Sequence, residues 1–268
     1  MTRTPILQVE HLTKHFGAVQ AVNDVSFSVY SHEVVALVGD NAAGKSTVAQ
    51  MVAGALTPTV GRILVDGEPV ALASPREAFA HGIATVYQQL ALCENLDVTS
   101  NIFLGREITG SNGLLDVKEM DRLAHGYLDQ LGGRIPDVHT PLVELSGGQR
   151  QGVAIARTLV ADPRILVMDE PTASLSVSQT ADVLNYIEGL REMGKGVILI
   201  SHNLQDVRAV ADRIIVLQQG RIMEQGTTAQ VLGDPRDQYT RELLAALPVP
   251  DPIAQAERRA QWQAVRRH

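Results

Sequence analysis

The sequence predicts an α/β fold: a parallel sheet covered by helices on both faces, preceded by an antiparallel β segment and interrupted by a helical insert. Three observations predict it. The short apolar runs "EVVALVG", "RILVMDE", "GVILIS" and "RIIVLQQG" are separated by helix-like stretches, the pattern of parallel strands buried on both sides. Nearer the N-terminus, "AVNDVSFSV" spaces Val22, Val25, Phe27 and Val29 in partial alternation, which suits a sheet with one buried face. Between Gln88 and Ser146 no β-rich run of comparable strength occurs, whereas "VTSNIFLGRE" and "VKEMDRLAHGYLDQLG" read as helices. The glycines, serine and asparagine of "ITGSNGLLD" mark a surface loop inside this insert.

With 268 residues and 45% hydrophobic content the chain can bury a sizeable core. We expect one domain over residues 1–247, a helical subdomain over roughly 89–160, and a tail at 248–268, where "PVPDPIAQAERRAQWQAVRRH" turns proline-rich and then ends in arginines. A formal charge of -7 argues against nucleic acid as the main partner, because such binding rests on a basic footprint. The single cysteine, Cys93, allows no internal disulfide and fits a reducing compartment; with no partner motif it reads as an inert small side chain. The N-terminal "MTRTPILQVEHL" lacks the apolar core of a secretion signal, and no stretch reaches the ~18 apolar residues of a membrane span.

The strand "VVALV" runs into "GDNAAGKST", where Gly39, Gly44, Lys45, Ser46 and Thr47 satisfy G-x-x-x-x-G-K-[ST] between a strand and a helix. In such a loop the N–H groups of Asn41 to Thr47 surround a β-phosphate, Lys45 reaches the β- and γ-phosphates, and Ser46 ligates magnesium. Ala42 occupies a position where glycine is frequent; its methyl group is tolerable and stiffens the loop. The strand "ILVMDE" ends in two acids: Asp169 is expected to hold magnesium through water. Glu170, expected on the opposite side of the strand end, is the candidate to orient or deprotonate the attacking water.

His202 follows "GVILIS" at another strand end, where open α/β sheets place their ligands, and is expected to contact a γ-phosphate. Gln88 in "IATVYQQL" has the same position and an amide able to ligate magnesium or sense the attacking water. A second anion-type loop, "LSGGQRQ", sets Ser146, Gly147, Gly148 and Gln149 at the start of the helix "GVAIARTLV". Spacing alone leaves open whether this loop closes on the first one in the same chain. His11 and His15 lie in a strand-like segment without a third ligand, so no transition metal is assigned.

From about Ile6 to Leu247 this ordered set resembles the nucleotide-binding subunit of an ATP-binding cassette (ABC) transporter, a P-loop ATPase with a RecA-like core. "GDNAAGKST" is similar to Walker A, "VYQQ" to the glutamine loop, "LSGGQRQ" to the family signature, "ILVMDE" to Walker B and "ISHN" to the histidine switch. The resemblance implies that ATP and Mg2+ are the ligands. It assigns nucleotide binding to Phe16 as the adenine-stacking aromatic, to Gly39, Asp40, Asn41, Ala42, Ala43, Gly44, Lys45, Ser46 and Thr47, and to Ser146, Gly147, Gly148 and Gln149. Metal binding falls to Ser46, Gln88 and Asp169, and catalysis to Glu170, His202, Gln88 and Lys45.

In this family two cassettes meet head to tail, so that the signature of one covers the γ-phosphate bound by the other. The resemblance therefore implies a homodimer seated peripherally on membrane permease subunits at the cytoplasmic face, served indirectly by a solute-binding protein. One departure is "ASLS", with Ser176 where many cassettes have the aspartate of "SALD", which puts strict two-site coupling in question. That variant and "NLDVTSNIFLGRE" are most similar to importers of ribose, xylose or fructose. The alternatives are an importer cassette for another small solute, such as amino acids, and a soluble, non-transport ATPase of the same superfamily. DNA-maintenance members carry coiled coils or zinc-binding cysteines between the two loops; neither is in this sequence. A nucleotide kinase would leave "LSGGQ" unexplained. We also expect no added C-terminal regulatory domain of the kind some sugar importers carry, and expect the solute to be chosen mainly by the membrane and solute-binding partners.

Overall fold

The computed structural model describes residues 4–133 and 135–246; the expected tail at 248–268 lies outside them. In chain order the strands and helices are β1 (Leu7–Phe16), β2 (Val19–Val29), β3 (Glu33–Val38), α1 (Lys45–Val52), β4 (Val60–Val65), β5 (Glu68–Val70), α2 (Pro75–Ala80) and β6 (Ile83–Val86). Next come α3 (Val98–Phe103), α4 (Val117–Gln130), α5 (Gly147–Leu159), β7 (Ile165–Asp169), α6 (Val177–Glu192) and β8 (Gly196–Ile200). The C-terminal part adds α7 (Leu204–Val210), β9 (Arg213–Gln218), β10 (Arg221–Thr227), α8 (Thr228–Gly233) and α9 (Gln238–Ala245).

The central sheet has six strands in the order β10-β9-β3-β8-β7-β6. Pairings from β9 through β6 are parallel, and β10 closes one edge as the antiparallel partner of β9. Every residue of β3 and β8 is buried, and apart from Glu33 at the start of β3 they form the continuous apolar runs of a doubly covered sheet. Side chains alternate between two cores. Val34, Ala36, Val38, Leu166, Met168, Val197 and Leu199 face the helices α3 to α7. Val35, Leu37, Ile165, Val167, Ile198 and Ile200 face α1 and the second sheet. That second sheet, β2-β1-β4-β5, is antiparallel, and Val22, Val25, Phe27 and Val29 all point into its core as their spacing predicts.

The insert is helical, with differences of detail. The first helix stops at Phe103 rather than running through "LGRE", because Leu104 is already non-helical and Gly105 has φ 76. Within "ITGSNGLLD" the chain folds back through a bridge between Thr109 and Leu115. Strands β4, β5 and β10 were not anticipated. The β4–β5 turn did carry a signal: Asp66 and Gly67 have φ of 53 and 82, the paired positive values for which Asp-Gly is favoured. Strand β10, reading "RIMEQGT", has no residue in the buried class and therefore no apolar run.

This sheet order places the site. β7, β8 and β3 are neighbours, so the segments leaving their C-terminal ends emerge side by side, with the segment after β6 next to them.

Candidate functional site

The loop after β3 is shaped by backbone constraints that name their residues. A Cβ on Gly39 (φ 144) would stand 2.1 Å from Leu217 O, and one on Gly44 (φ 100) 2.7 Å from Ala21 O, so both positions require glycine. Ala42 also adopts positive φ, 64, the left-handed conformation that costs an alanine roughly 1–2 kcal/mol. The turn between β9 and β10 buttresses the loop, with Gly220 N donating to Ala43 O at 2.9 Å.

Helix α1 begins at Lys45 with Gly44 as its N-cap and no side-chain cap. Its first N–H groups therefore remain available to an anion, the favourable ligand for the positive end of a helix. Lys45 is 7% exposed, and its Nζ donates to Gly39 O at 2.8 Å and Asp40 O at 2.9 Å. Desolvation by burial lowers the pKa of this ammonium, while the carboxylates of Glu170, Asp40 and Asp169 act in the opposite direction. An amine so held is poised for the additional negative charge of phosphates.

Asp169 ends β7 with Oδ1 buried and without a hydrogen-bond partner. Burial, and then the neighbouring Glu170, raise the pKa of this carboxyl, against the pull of Lys45. A desolvated, orphaned carboxylate oxygen beside a phosphate loop fits a magnesium ion, held directly or through water.

Glu170 was expected on the opposite side of the strand end from Asp169, but both line the same cleft. The reason is its left-handed φ of 51, which breaks the strand alternation; its N–H donates to Ile200 O of β8 at 3.0 Å. The Glu170 carboxylate meets His202 Nδ1 at 2.7 Å across adjacent strand ends. Thus His202 is engaged with Glu170 and lies outside the set of residues lining the cleft.

The cleft measures about 620 Å³, within the usual range for a small-molecule site. Asn41 to Thr47, Gln88, Asp169 and Glu170 line it, as do Val19, Gln20, Ala21 and Gln219, which sequence reasoning missed. Gln219 had a weak signal, a glutamine before glycine in a turn, and adopts φ 48. Phe16 is 48% exposed at the end of β1 and is the cross-strand partner of Val19; Lys14 Nζ lies 5.3 Å from its ring centroid.

The second loop lies elsewhere. None of Ser146, Gly147, Gly148 or Gln149 lines the cleft. Ser146 N-caps α5 through a capping box, with Gln149 N donating to Ser146 Oγ at 3.2 Å and Ser146 N to Gln149 Oε1 at 2.9 Å. The glycines have a packing role within the chain: a Cβ on Gly147 would be 2.8 Å from Leu175 Cδ2, and one on Gly148 3.0 Å from Gln179 O. Ser176 caps α6 in the same way, with Gln179 as its reciprocal partner.

Residues 22–173, more than half of the chain, match the ABC transporter family. The chain belongs to that family. This ABC cassette binds nucleotide and is an ATPase. It is 43% identical over 218 residues to the xylose/arabinose import ATP-binding protein of Sulfolobus acidocaldarius, covering 81% of this chain and 86% of the relative. It is 42% identical over 228 residues to the fructose import ATP-binding protein of Rhizobium meliloti, covering 82% and 88%. Its fold matches the dimeric, post-hydrolysis structure of an ATP-binding cassette holding ADP and phosphate, with TM-score 0.68, 25% identity, and coverage of 83% and 98%. Among the described residues no helix of the cassette is long and apolar enough to cross a membrane.

Proposed function

We propose that this cassette hydrolyses ATP to power import of a monosaccharide, working as a homodimer seated peripherally on permease subunits at the cytoplasmic face of a membrane. The observation that carries the reading is the convergence of Lys45, Gln88, Asp169 and Glu170 on one cleft of nucleotide size, with the signature loop outside it. Relatives named for xylose/arabinose and fructose import, each matched over most of its length, support the sugar. A solute-binding protein would deliver it to the permease.

In this mechanism the N–H groups from Asn41 to Thr47 wrap the β-phosphate, and Lys45 neutralises charge on the β- and γ-phosphates. Ser46, Gln88 and Asp169 would hold magnesium, which when bound supplies charge neutralisation between the terminal phosphates. Phe16 stacks on the adenine. Glu170 orients the attacking water and takes its proton, and His202 steadies the carboxylate through the 2.7 Å contact before meeting the γ-phosphate. Because Ser146 stands outside the cleft of its own chain, the γ-phosphate it serves is that of a second cassette; the similar cassette solved as a dimer supports pairing of two such chains.

The test is assembly followed by turnover. The cassette should co-purify from solubilised membranes with a permease, and in vesicles its ATPase rate should rise with a monosaccharide-loaded binding protein. Recovery only as a free ATPase would defeat the transport reading, and stimulation by amino acids alone would replace the sugar.

A further inference from the structure

We propose that Tyr239, on the C-terminal helix α9, is a positioning residue for nucleotide binding that acts through the Gly39–Asp40 peptide on Lys45. The proposal rests on the reading that Lys45 meets the nucleotide phosphates. Tyr239 is separated from the phosphate loop by 199 residues, yet its hydroxyl accepts from Asp40 N at 3.0 Å. The carbonyl of that same peptide group, Gly39 O, accepts from Lys45 Nζ at 2.8 Å, and the next one, Asp40 O, at 2.9 Å. A peptide group is a rigid plane, so holding its N–H on one side fixes the direction of its C=O on the other.

This plane needs an external hold. Gly39 has φ 144 and no space for a Cβ beside the Leu217 carbonyl, and glycine supplies the least intrinsic restraint on backbone rotation. Tyr239 can supply the hold because it is itself fixed. Its residue is 8% exposed and its ring belongs to the helical core. Burial raises the pKa of the hydroxyl, which also lies against the Asp40 carboxylate. The start of α9 is anchored twice: Tyr239 N donates to Asp237 Oδ1 at 2.9 Å, and the Glu224 carboxylate accepts from Arg236 N at 2.9 Å and Asp237 N at 3.1 Å. The connection therefore runs from α9 through one hydroxyl to a peptide plane and on to the ammonium. It preorganises the loop before nucleotide arrives.

The experiment uses Tyr239→Phe in the full chain, which keeps the ring and removes the hydroxyl. Amide hydrogen exchange of Asp40 should become at least about tenfold faster, and ATP affinity should fall about fivefold, on the scale of a lost hydrogen bond to the loop. The melting temperature and kcat at saturating ATP should stay near wild type. A protected Asp40 amide in the variant, or unchanged ATP affinity, would overturn the proposal. Tyr239→Leu, which also removes packing, separates the bland role: if both variants lose affinity only in proportion to lost thermal stability, Tyr239 is a core residue and nothing more. Lys45→Ala distinguishes the failures. Normal ATP binding by that variant would refute the role of Lys45, whereas the exchange rate of Asp40 reports the hydroxyl contact independently.

Discussion

At the scale of the residue, Lys45 is the centre of charge in the cleft. Its side chain is nearly buried and its ammonium donates to two loop carbonyls, with three carboxylates acting on it through space. Replacing it with alanine leaves those carbonyls and the incoming phosphates without their shared cation. Lys45→Ala should nearly abolish ATP binding, measured with labelled nucleotide at equilibrium; wild-type affinity would remove Lys45 from the site. Glu170 differs because its carboxylate pairs with His202 rather than with the loop. Glu170→Gln keeps the size and loses the base. It should bind ATP normally, slow hydrolysis by roughly 10² to 10⁴, and accumulate as an ATP-bound dimer. Full turnover would shift the role of base to Asp169 or His202.

At the scale of the element, the signature loop is first a helix start. α5 packs on α6 so closely that a methyl group on Gly148 would stand 3.0 Å from the Gln179 carbonyl, and the two helices begin with matching Ser-x-x-Gln boxes at Ser146 and Ser176. Ser176 stands where the resemblance places the aspartate of "SALD", and its place at the start of α6 gives that difference a physical meaning. Serine and aspartate cap helices about equally well, so the cap is kept while the charge is lost. Ser176→Ala should therefore destabilise the cassette by about 1 kcal/mol in urea unfolding, with Ser176→Asp within about 0.5 kcal/mol of wild type. An alanine variant as stable as wild type would show that the box contributes nothing to stability.

At the scale of the whole molecule, the question is which cleft the signature serves. Because Ser146 is a cap, the informative variant is Ser146→Asp, which preserves capping but sets a negative charge against a γ-phosphate. It and Lys45→Ala should each be inactive as pure homodimers. In a mixed dimer the cleft of the Ser146→Asp chain faces the intact signature of the Lys45→Ala chain, which restores one complete site. Mixed dimers isolated with two different tags should cleave ATP in a single turnover. Verified mixed dimers without cleavage would count against a site shared between chains.

Much of the site was legible in the sequence because it is local. A glycine-rich turn, a lysine opening a helix and acids at a strand end are each written within a few residues, and their backbone requirements follow from steric rules that any tertiary context must obey. The cores of β2, β3 and β8 were legible for the same reason, through their alternation or continuous burial. What the sequence did not contain was the relation between these pieces. Glu170 meets His202 because β7 pairs with β8, Gln219 reaches the cleft because β9 pairs with β3, and Val19 to Ala21 and Tyr239 come to the phosphate loop from the second sheet and from α9. Ser146 lies outside its own cleft, at the start of a helix packed on α6. Such contacts join residues far apart in the chain, and only strand order and helix packing, chosen by burying both faces of one sheet together, bring them within hydrogen-bond reach.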